Sequence, residues 1–282
     1  MRGVVTGARG LLGAAVAREL GGRYEVLELT RADLDITSEE AVAAAIADAR
    51  PDLIVNCAAY NDVDGAEEAA PTALRANAFA VLALARAATA AGATLVHFSS
   101  DFVFDGETDR PYTEEDRPNP RGTYAASKLL GDWFALEAPR AYVLRVESLF
   151  GPPGPDGARR GSLGMIVDRI REGSEVPVFV DRVVSPSYTP DIARAVRGLV
   201  ERQAPAGLYH CVNTGHTSWA GIAERAASLM GVPLRIQPMT LEGARLRARR
   251  PRYCALSNAK LAAAGVEMPA WEDALERFLR PT

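Results

Sequence analysis

The chain has 282 residues, of which 48% are hydrophobic and 24% charged, and its formal net charge is −4. This length suits one large α/β domain with a smaller appended lobe. The negative charge argues against binding to nucleic acid or an anionic membrane through bulk electrostatics. The three cysteines and three histidines show neither a disulfide framework nor a zinc-type cluster, so we expect no metal site from them, and the use of a divalent metal stays open. Because the N-terminus shows no signal-peptide pattern, we also expect a reduced, cytoplasmic protein.

The first half of the chain alternates predicted strands and helices. A short apolar strand, RGVVTG, ends at Gly7, and the small residues of LLGAAVAREL predict a helix after it. Further strands are predicted at YEVLEL, DLIVNCA and TLVHFSS, and Thr37 with Glu40 predicts a capping box at the start of a second helix. Repeated strand–helix units with nearly continuous apolar strands predict an α/β fold with a doubly wound, Rossmann-type parallel sheet.

The composition of the chain changes near Gly151. The segment GPPGPDGARRG is a polar loop rich in proline, glycine and arginine, and later strands are short, with turn-rich links such as VVSPSYTPD. We therefore predict a dinucleotide-binding domain over residues 1–150 and a smaller, substrate-binding C-terminal lobe over residues 151–282, with some crossing of the chain between them.

Three glycines, Gly7, Gly10 and Gly13, lie between the first predicted strand and the first predicted helix. In that context glycines allow a tight turn and a close approach to a pyrophosphate, which rests on the helix N-terminus. Alone, such a pattern often means only tight packing of a helix on a strand. Its place in the first strand–helix unit favours a dinucleotide site that includes Gly7, Arg9 and Gly10.

The end of the second predicted strand should set the nucleotide preference. A site for NAD usually has an acidic residue there, which hydrogen-bonds the ribose 2′-hydroxyl. Here Thr30 and Arg31 lie at the turn and Arg9 lies in the glycine loop, which favours the 2′-phosphate of NADPH and leaves NADH possible. Asp33 follows Gly13 by twenty residues but falls beyond the strand end. The alternative is that both arginines are solvated surface residues.

A tyrosine and a lysine four residues apart are the main catalytic signal. Only two of the 32 basic residues are lysines, and one of them, Lys128, follows Tyr124 at the spacing that places two residues on one helix face. An ammonium lowers the pKa of a nearby tyrosine from about 10 toward neutrality. It can also hold cofactor ribose hydroxyls more compactly than a guanidinium. The pair predicts catalysis; the alternative is a chance pairing on a helix surface.

A serine completes the predicted catalytic set. The strand VHFSS ends with Ser99 and Ser100, followed by Asp101, at the end where open α/β sheets bind ligands. A hydroxyl there can hydrogen-bond a carbonyl oxygen as charge develops on it. The set predicts carbonyl reduction, in which NADPH gives the hydride, Tyr124 gives the proton, Ser100 orients the oxygen and Lys128 assists Tyr124.

The chain resembles the extended short-chain dehydrogenases/reductases, and within them the dTDP-4-dehydrorhamnose reductase family. The resemblance runs nearly end to end through TGARGLLG, LDIT, PDLIVNCAAYNDVDGAE, GATLVHFSSDFVFDG, PYTEEDRPNPRGTYAASKLLGD, DRVVSPSYTPDIA and RPRYCALSNAKL. It implies an NADPH-dependent reductase of a 4-keto sugar nucleotide, and a homodimer is a further expectation. Ser100 and Asp101 would face the sugar. The residues implied to line the dinucleotide are Leu11, Leu12, Arg31, Asp35, Ile36, Ala58, Ala59 and Tyr60.

Two departures from that family concern the sugar. The family pattern Ser-Thr-Asp-Tyr becomes SSDF, which keeps a hydroxyl at Ser100 and loses one at Phe102. The pattern R-T-S-W-V-Y-G becomes RVESLFG, so Ser148 replaces a tryptophan expected against the deoxysugar. The identity of the sugar therefore stays open.

A run of arginines near the C-terminus predicts substrate binding. The segment GARLRARRPRY holds five arginines, and a sugar nucleotide carries a diphosphate that suits arginine forks. Pro251 stiffens the segment, which limits the entropy lost on binding. We predict that Arg250 or Arg252 contacts the substrate diphosphate. The alternative is a solvated helix end and loop.

Two other functions stay open at this stage. The regulatory subunit of methionine adenosyltransferase is similar to this chain in its glycine loop, its Ser-Ser-Asp and its Arg-Pro-Arg, and it keeps the Tyr-Lys pair. That resemblance would make the chain a non-catalytic, nucleotide-binding partner protein. The broader alternative is another nucleotide-sugar epimerase or reductase.

Overall fold

A six-stranded parallel sheet lies at the centre of the computed structural model, which describes residues 1–154 and 161–280. Its strands follow the spatial order β10-β5-β4-β3-β1-β2, and every pairing is parallel. The strands are β1 (Arg2–Thr6), β2 (Glu25–Leu29), β3 (Leu53–Asn56), β4 (Thr94–Ser100), β5 (Ala141–Val146) and β10 (Gly207–His210). Part of the polar loop predicted after Gly151 lies outside the described residues.

Helices cover both faces of this sheet. On one face α1 (Leu11–Gly21) and α8 (Thr189–Glu201) pack against each other and against the apolar side chains of the strands. On the other face lie α2 (Glu39–Ala49), α5 (Ala80–Ala91) and α6 (Thr123–Ala135). Short helices α3 (Gly65–Glu68) and α4 (Ala70–Leu74) and a π-helical turn (Arg75–Phe79) lead into α5. The predicted α/β fold with a doubly wound parallel sheet is confirmed.

A smaller lobe has its own apolar core, which includes Phe150, Ile166, Trp219 and Leu275. The chain does not stay in this lobe after residue 151, because α8 packs on α1 and β10 extends the large sheet beside β5. The division into residues 1–150 and 151–282 stays a prediction. The remaining elements are β6 (Leu149–Phe150), α7 (Gly161–Arg171), β7 (Val176–Phe179), β8 (Val183–Val184), β9 (Ser187–Tyr188), β11 (Thr217–Ser218), α9 (Trp219–Met230), β12 (Ile236–Met239), α10 (Ala259–Ala263) and α11 (Trp271–Leu279).

One local prediction was wrong. The capping box was expected at Thr37, but the N-cap of α2 is Ser38, whose Oγ accepts a hydrogen bond from the Ala41 backbone N–H. The Thr37 hydroxyl instead donates to Asp35 Oδ1 at 2.8 Å, so it is not available to the helix.

The predicted site residues come together because the strands are parallel. Their carboxyl ends meet along one edge, where β1 leads into the glycine loop, β4 ends at Ser100 and β5 ends at Val146. The N-terminus of α6 reaches the same edge and is held there by the Glu67 carboxylate, which accepts a 2.8 Å hydrogen bond from the Thr123 N–H. Within residues 1–154 and 161–280, no helix has the length and apolarity needed to cross a bilayer.

Candidate active site

Two adjoining cavities open at the carboxyl edge of the sheet. One has a volume of about 540 Å³ and the other about 290 Å³, and both are lined by Gly10, Ala58 and Ala59. The predicted cofactor residues all line one or both of these cavities. In the larger are Gly7, Arg9, Gly10, Arg31, Asp35, Ile36, Ala58, Ala59 and Tyr60; in the smaller are Gly10, Leu11, Leu12, Ala58, Ala59 and Lys128. Because the two cavities share lining residues, they adjoin, as the two halves of a dinucleotide site must.

The glycine loop is shaped for a ligand with phosphates. Gly7 has φ +63°, and a Cβ there would lie 2.8 Å from the Ala58 backbone nitrogen. A Cβ on Gly13 would lie 2.2 Å from the Gly7 carbonyl oxygen. Gly10 is the N-cap of α1, which has no side-chain cap and no acidic residue in its first turn. Its N-terminal N–H groups are therefore suited to a pyrophosphate.

The corner after β2 is rich in arginine. Arg9 and Arg31 line the larger cavity, together with Arg75 of the π-helical turn, which the sequence interpretation missed. Asp33 accepts hydrogen bonds from Thr30, at 2.9 Å from its N–H and 2.6 Å from its hydroxyl. Asp33 thus stabilises the turn and lies outside the lining of both cavities, as expected from its position beyond the strand.

The three predicted catalytic residues line the smaller cavity. Tyr124 and Lys128 lie on α6 with exposed fractions of 8% and 3%, and Ser100 ends β4. Ser100 Oγ donates a 2.7 Å hydrogen bond to Asp101 Oδ1. Lys128 Nζ donates a 2.6 Å hydrogen bond to the Phe98 carbonyl oxygen. The arrangement places a phenol, a hydroxyl and an ammonium around one small cavity.

The pKa of Tyr124 is shifted in the direction opposite to the one expected from the sequence. Burial, and next the nearby Asp101 carboxylate, raise the pKa of Tyr124 above its ordinary value. Lys128 was expected to lower this pKa, but burial outweighs any such effect, and the Lys128 ammonium donates its hydrogen bond to the Phe98 carbonyl oxygen. Burial lowers the pKa of Lys128 to about 8. Tyr124 is therefore a protonated phenol at neutral pH, the state required of a proton donor.

Asn77 positions the site and was missed by the sequence interpretation. Its side-chain oxygen accepts from the Tyr60 N–H at 2.8 Å, and its amide donates to the Tyr60 carbonyl and to Ser127 Oγ, both at 3.0 Å. These bonds join the cofactor-lining Tyr60 to the helix that carries Tyr124. The signal was available, since an asparagine within the apolar helical stretch ALRANAFAV needs a polar partner.

The predicted sugar-facing residues Ser100, Asp101 and Ser148 also line the smaller cavity. Phe102 packs edge-on against the Tyr124 ring, with 5.5 Å between the ring centroids. The guanidinium of Arg182 lies 5.2 Å from the Phe102 ring centroid. Phe102 is therefore held rigidly beside the phenol by packing and a cation–π contact.

The two predicted diphosphate residues line a separate cavity of about 250 Å³. Arg250 forms an ion pair with Asp64, with 2.7 Å between Nη2 and Oδ2, and lies 5.7 Å from the Phe102 ring. Arg252 is exposed. Neither arginine lines the Tyr124 cavity. The Arg250 guanidinium does lie over the ring of Phe102, which lines that cavity.

A buried group of ionisable side chains adjoins the smaller cavity. Ligand-type atoms of Asp101, Glu147 and Cys254 lie within 4.8 Å of one another. Arg182 Nη2 lies 3.5 Å from Asp101 Oδ2 and 3.4 Å from Cys254 Sγ. The Arg182 guanidinium provides a positive charge beside these groups, and the sequence interpretation anticipated neither Glu147 nor Arg182.

Comparisons with known proteins show which family the chain belongs to. A family model described as RmlD substrate binding domain matches residues 1–282. A dTDP-4-dehydrorhamnose reductase of Streptomyces griseus is 37% identical over 286 residues, covering 97% of this chain and 91% of that protein. A probable dTDP-4,6-dihydroxy-2-methyloxan-3-one 4-ketoreductase of Streptomyces antibioticus is 35% identical over 282 residues, covering 98% of this chain and 93% of that protein.

A solved structure supports membership of the same family. The dTDP-4-dehydrorhamnose reductase of Bacillus anthracis, in complex with NADP, has a TM-score of 0.92 to this chain at 32% identity, covering 98% of each chain. The resemblance predicted from the sequence is confirmed. The chain belongs to the dTDP-4-dehydrorhamnose reductase family and is an NAD(P)-dependent oxidoreductase.

Proposed function

We propose that this protein reduces the 4-keto group of a dTDP-linked deoxysugar with NADPH, with dTDP-4-dehydrorhamnose as the substrate to test first. One observation carries the proposal: Tyr124, Ser100 and Lys128 line a cavity that adjoins the groove of the glycine loop. The names of the two Streptomyces relatives, both of dTDP-sugar ketone reductases, support the substrate class.

NADPH, when bound along the two cavities, would supply the hydride. The N–H groups at the start of α1 would hold the pyrophosphate, and Arg9 and Arg31 would hold the 2′-phosphate. Tyr124, kept protonated by burial, would give its proton to the carbonyl oxygen of the sugar. Ser100 would orient that oxygen as it gains charge. Lys128 would hold the ribose and, with a pKa of about 8, would be mainly an ammonium at neutral pH.

A second sugar is favoured by one observation. Ser148 stands where the family pattern has a tryptophan, and it lines the cavity with a left-handed φ of +45°. A small residue there leaves room for a ring with a different substituent pattern. The ketone named in the Streptomyces antibioticus relative, dTDP-4,6-dihydroxy-2-methyloxan-3-one, is therefore the second candidate substrate.

A homodimer and a cytoplasmic location are part of the proposal. Phe79 and Trp133 have exposed fractions of 56% and 58%, and Leu136 is also exposed. Phe79 lies on the π-helical turn that packs against α6, where Trp133 lies near its end. Large apolar side chains grouped on neighbouring helices are typical of a protein–protein interface. Sedimentation of the wild type and of Trp133→Glu would test the dimer, which the variant should weaken.

The experiment uses the purified chain alone with NADPH and each of the two ketones. We expect NADPH oxidation coupled to formation of the 4-hydroxy sugar, with Tyr124→Phe as the inactive control. A chain that binds NADPH but oxidises it with neither ketone would contradict the proposed substrate class. That result would favour a non-catalytic partner role or another nucleotide sugar.

A further inference from the structure

Glu147 occupies a position that the mechanism above does not use. It directly follows β5, lines the smaller cavity beside Ser148, and is only 2% exposed. The other groups around its carboxyl come from three segments: Asp101 after β4, Arg182 and Ser185 around β8, and Tyr253 and Cys254 near the C-terminus. Glu147 is thus a fully buried acidic residue at the wall of the reaction cavity.

The charges of this group do not balance if both carboxyls are ionised. Asp101 and Glu147 would carry two negative charges against the single positive charge of Arg182. An uncompensated buried charge is strongly unfavourable, so one carboxyl keeps a proton. Asp101 accepts a hydrogen bond from Ser100 Oγ at 2.7 Å and lies 3.5 Å from Arg182 Nη2, so it is the better stabilised anion. Burial, and next the Asp101 carboxylate, raise the pKa of Glu147 well above its ordinary value.

The two carboxyl oxygens of Glu147 differ in their hydrogen-bond partners. Oε2 accepts a hydrogen bond of 2.7 Å from the Ser185 N–H. Oε1 is buried and has no geometric hydrogen-bond partner in the part of the chain that the structure describes. The Cys254 thiol lies beside both carboxyls, but a thiol is a weak partner. A proton on Oε1 would therefore be a donor that lacks an acceptor, which is costly in a buried position unless a ligand supplies one.

We propose that Glu147 is a neutral carboxylic acid that donates a hydrogen bond from Oε1 to an oxygen of the bound sugar, and so determines which sugar is accepted. The proposal rests on the proposed function, since it needs a sugar in the Tyr124 cavity. The sugar is favoured over the cofactor because two neighbours of the Glu147 carboxyl come from the smaller lobe, which was predicted to bind the substrate. Arg182 precedes β8 of the smaller lobe, and Cys254 packs in that lobe's core.

Two substitutions separate a neutral donor from an ion-pair role. Glu147→Gln keeps a donor of similar shape without a charge, so we expect the substrate KM to change by less than about threefold. Glu147→Ala removes the donor, so we expect the substrate KM to rise about tenfold. The Kd of NADPH, measured by fluorescence titration, should stay within about twofold in both. Glu137→Gln, an exposed glutamate after α6, is the matched control and should change neither constant.

Two readouts do not depend on the size of the kinetic effect. The infrared difference spectrum of wild type minus Glu147→Gln should show the C=O stretching band of a protonated carboxylic acid, contributed by Glu147 of the wild type. The wild-type substrate KM should also rise at alkaline pH as Glu147 loses its proton. Glu147→Gln should lack this part of the rise, whereas the titration of Lys128, whose pKa is about 8, is common to both proteins. Asp101, Arg182, Cys254 and Tyr253 are kept in both proteins, so the difference reports Glu147.

The outcomes are distinct. An active wild type with the KM pattern and the infrared band supports the inference. If the wild type is active but Glu147→Ala leaves the substrate KM unchanged, or raises the Kd of NADPH instead, the inference is wrong and the proposed function stands. If Glu147→Ala does not fold, Glu147→Gln decides: a missing infrared band, or an unchanged alkaline rise in KM, overturns the inference. A wild type inactive on every dTDP-linked ketone overturns the proposed function, and the inference with it.

Discussion

Lys128 Nζ lies 2.6 Å from the carbonyl oxygen of Phe98, on the strand that ends at Ser100. This buried hydrogen bond joins α6 to β4 where the two elements deliver Tyr124 and Ser100. A guanidinium is planar and wider than an ammonium, so it cannot take this position unless one element moves. This geometry explains why position 128 holds a lysine in a chain whose other basic residues are nearly all arginine.

The substitution Lys128→Arg should therefore be far from conservative. We expect kcat/KM to fall at least about a hundredfold, because a shift of the catalytic groups by about 1 Å has costs of that size. Steady-state kinetics with NADPH and the sugar ketone would measure it. Lys260→Arg changes the chain's other lysine and is the control, which should keep wild-type activity. Full activity of Lys128→Arg would mean that the site does not need an ammonium.

The same lysine should lower the stability of the fold. Burial lowers its pKa from the ordinary value of 10.5 to about 8 in the folded state. Below about pH 8 the lysine is an ammonium in both states, and its burial then reduces the free energy of unfolding by the full amount. Lys128→Met should therefore raise the free energy of unfolding by about 1–2 kcal/mol at neutral pH, after loss of the hydrogen bond to Phe98 is counted. The gain should vanish above the ordinary pKa of 10.5, where lysine is neutral in both states. Urea unfolding at the two pH values tests this, and a gain that persists at high pH would contradict it.

Arg31 should read the 2′-phosphate of NADPH. A charge-assisted bond to phosphate contributes about 1.5–3 kcal/mol, so Arg31→Ala should weaken NADPH about tenfold to a hundredfold. NADH lacks the phosphate and should bind as before. Fluorescence titration with both cofactors would measure the two Kd values, with the exposed Arg23→Ala as control. Equal weakening of the two cofactors would mean that Arg31 supports the cavity without reading the phosphate.

Arg250 and Arg252, two of the three arginines that line the separate cavity of about 250 Å³, should differ in effect. Arg252 is exposed, so Arg252→Ala should raise the substrate KM about tenfold and leave the melting temperature unchanged. Arg250 pairs with Asp64 and lies against Phe102, so Arg250→Ala should also lower the melting temperature. Arg247→Ala is the control, since Arg247 pairs with Glu68 outside that cavity. Wild-type KM in both Arg250→Ala and Arg252→Ala would show that other groups hold the substrate phosphates.

The sequence could predict those parts of the site that depend on short spacings. The glycine loop, the i, i+4 pair of Tyr124 and Lys128, and Ser100 at a strand end are local patterns, and parallel strands bring such ends together. The fold class followed from the same repetition of apolar strands and helices. The position of Arg31 after β2 was predictable because the strand end was clear.

The parts that could not be predicted depend on contacts between distant residues. Arg182 meets Asp101 across 81 positions of sequence, and Arg250 meets Asp64 across 186. No spacing rule relates such pairs. The pKa of Tyr124 was misjudged for a similar reason, because the burial of its hydroxyl and the direction of the Lys128 ammonium are tertiary features. Glu147 was visible as a charged residue in RVESLFG, but its burial was not.

The central claim is that Tyr124 protonates the sugar carbonyl oxygen, and Tyr124→Phe tests it most directly. The variant keeps the ring that packs on Phe102 and loses only the hydroxyl. We expect kcat for the sugar ketone to fall by about 10²–10⁴-fold, the usual contribution of a positioned general acid. The Kd of NADPH should stay at the wild-type value. A Tyr124→Phe protein that reduced the ketone at near wild-type kcat would contradict the account, because another group would then supply the proton.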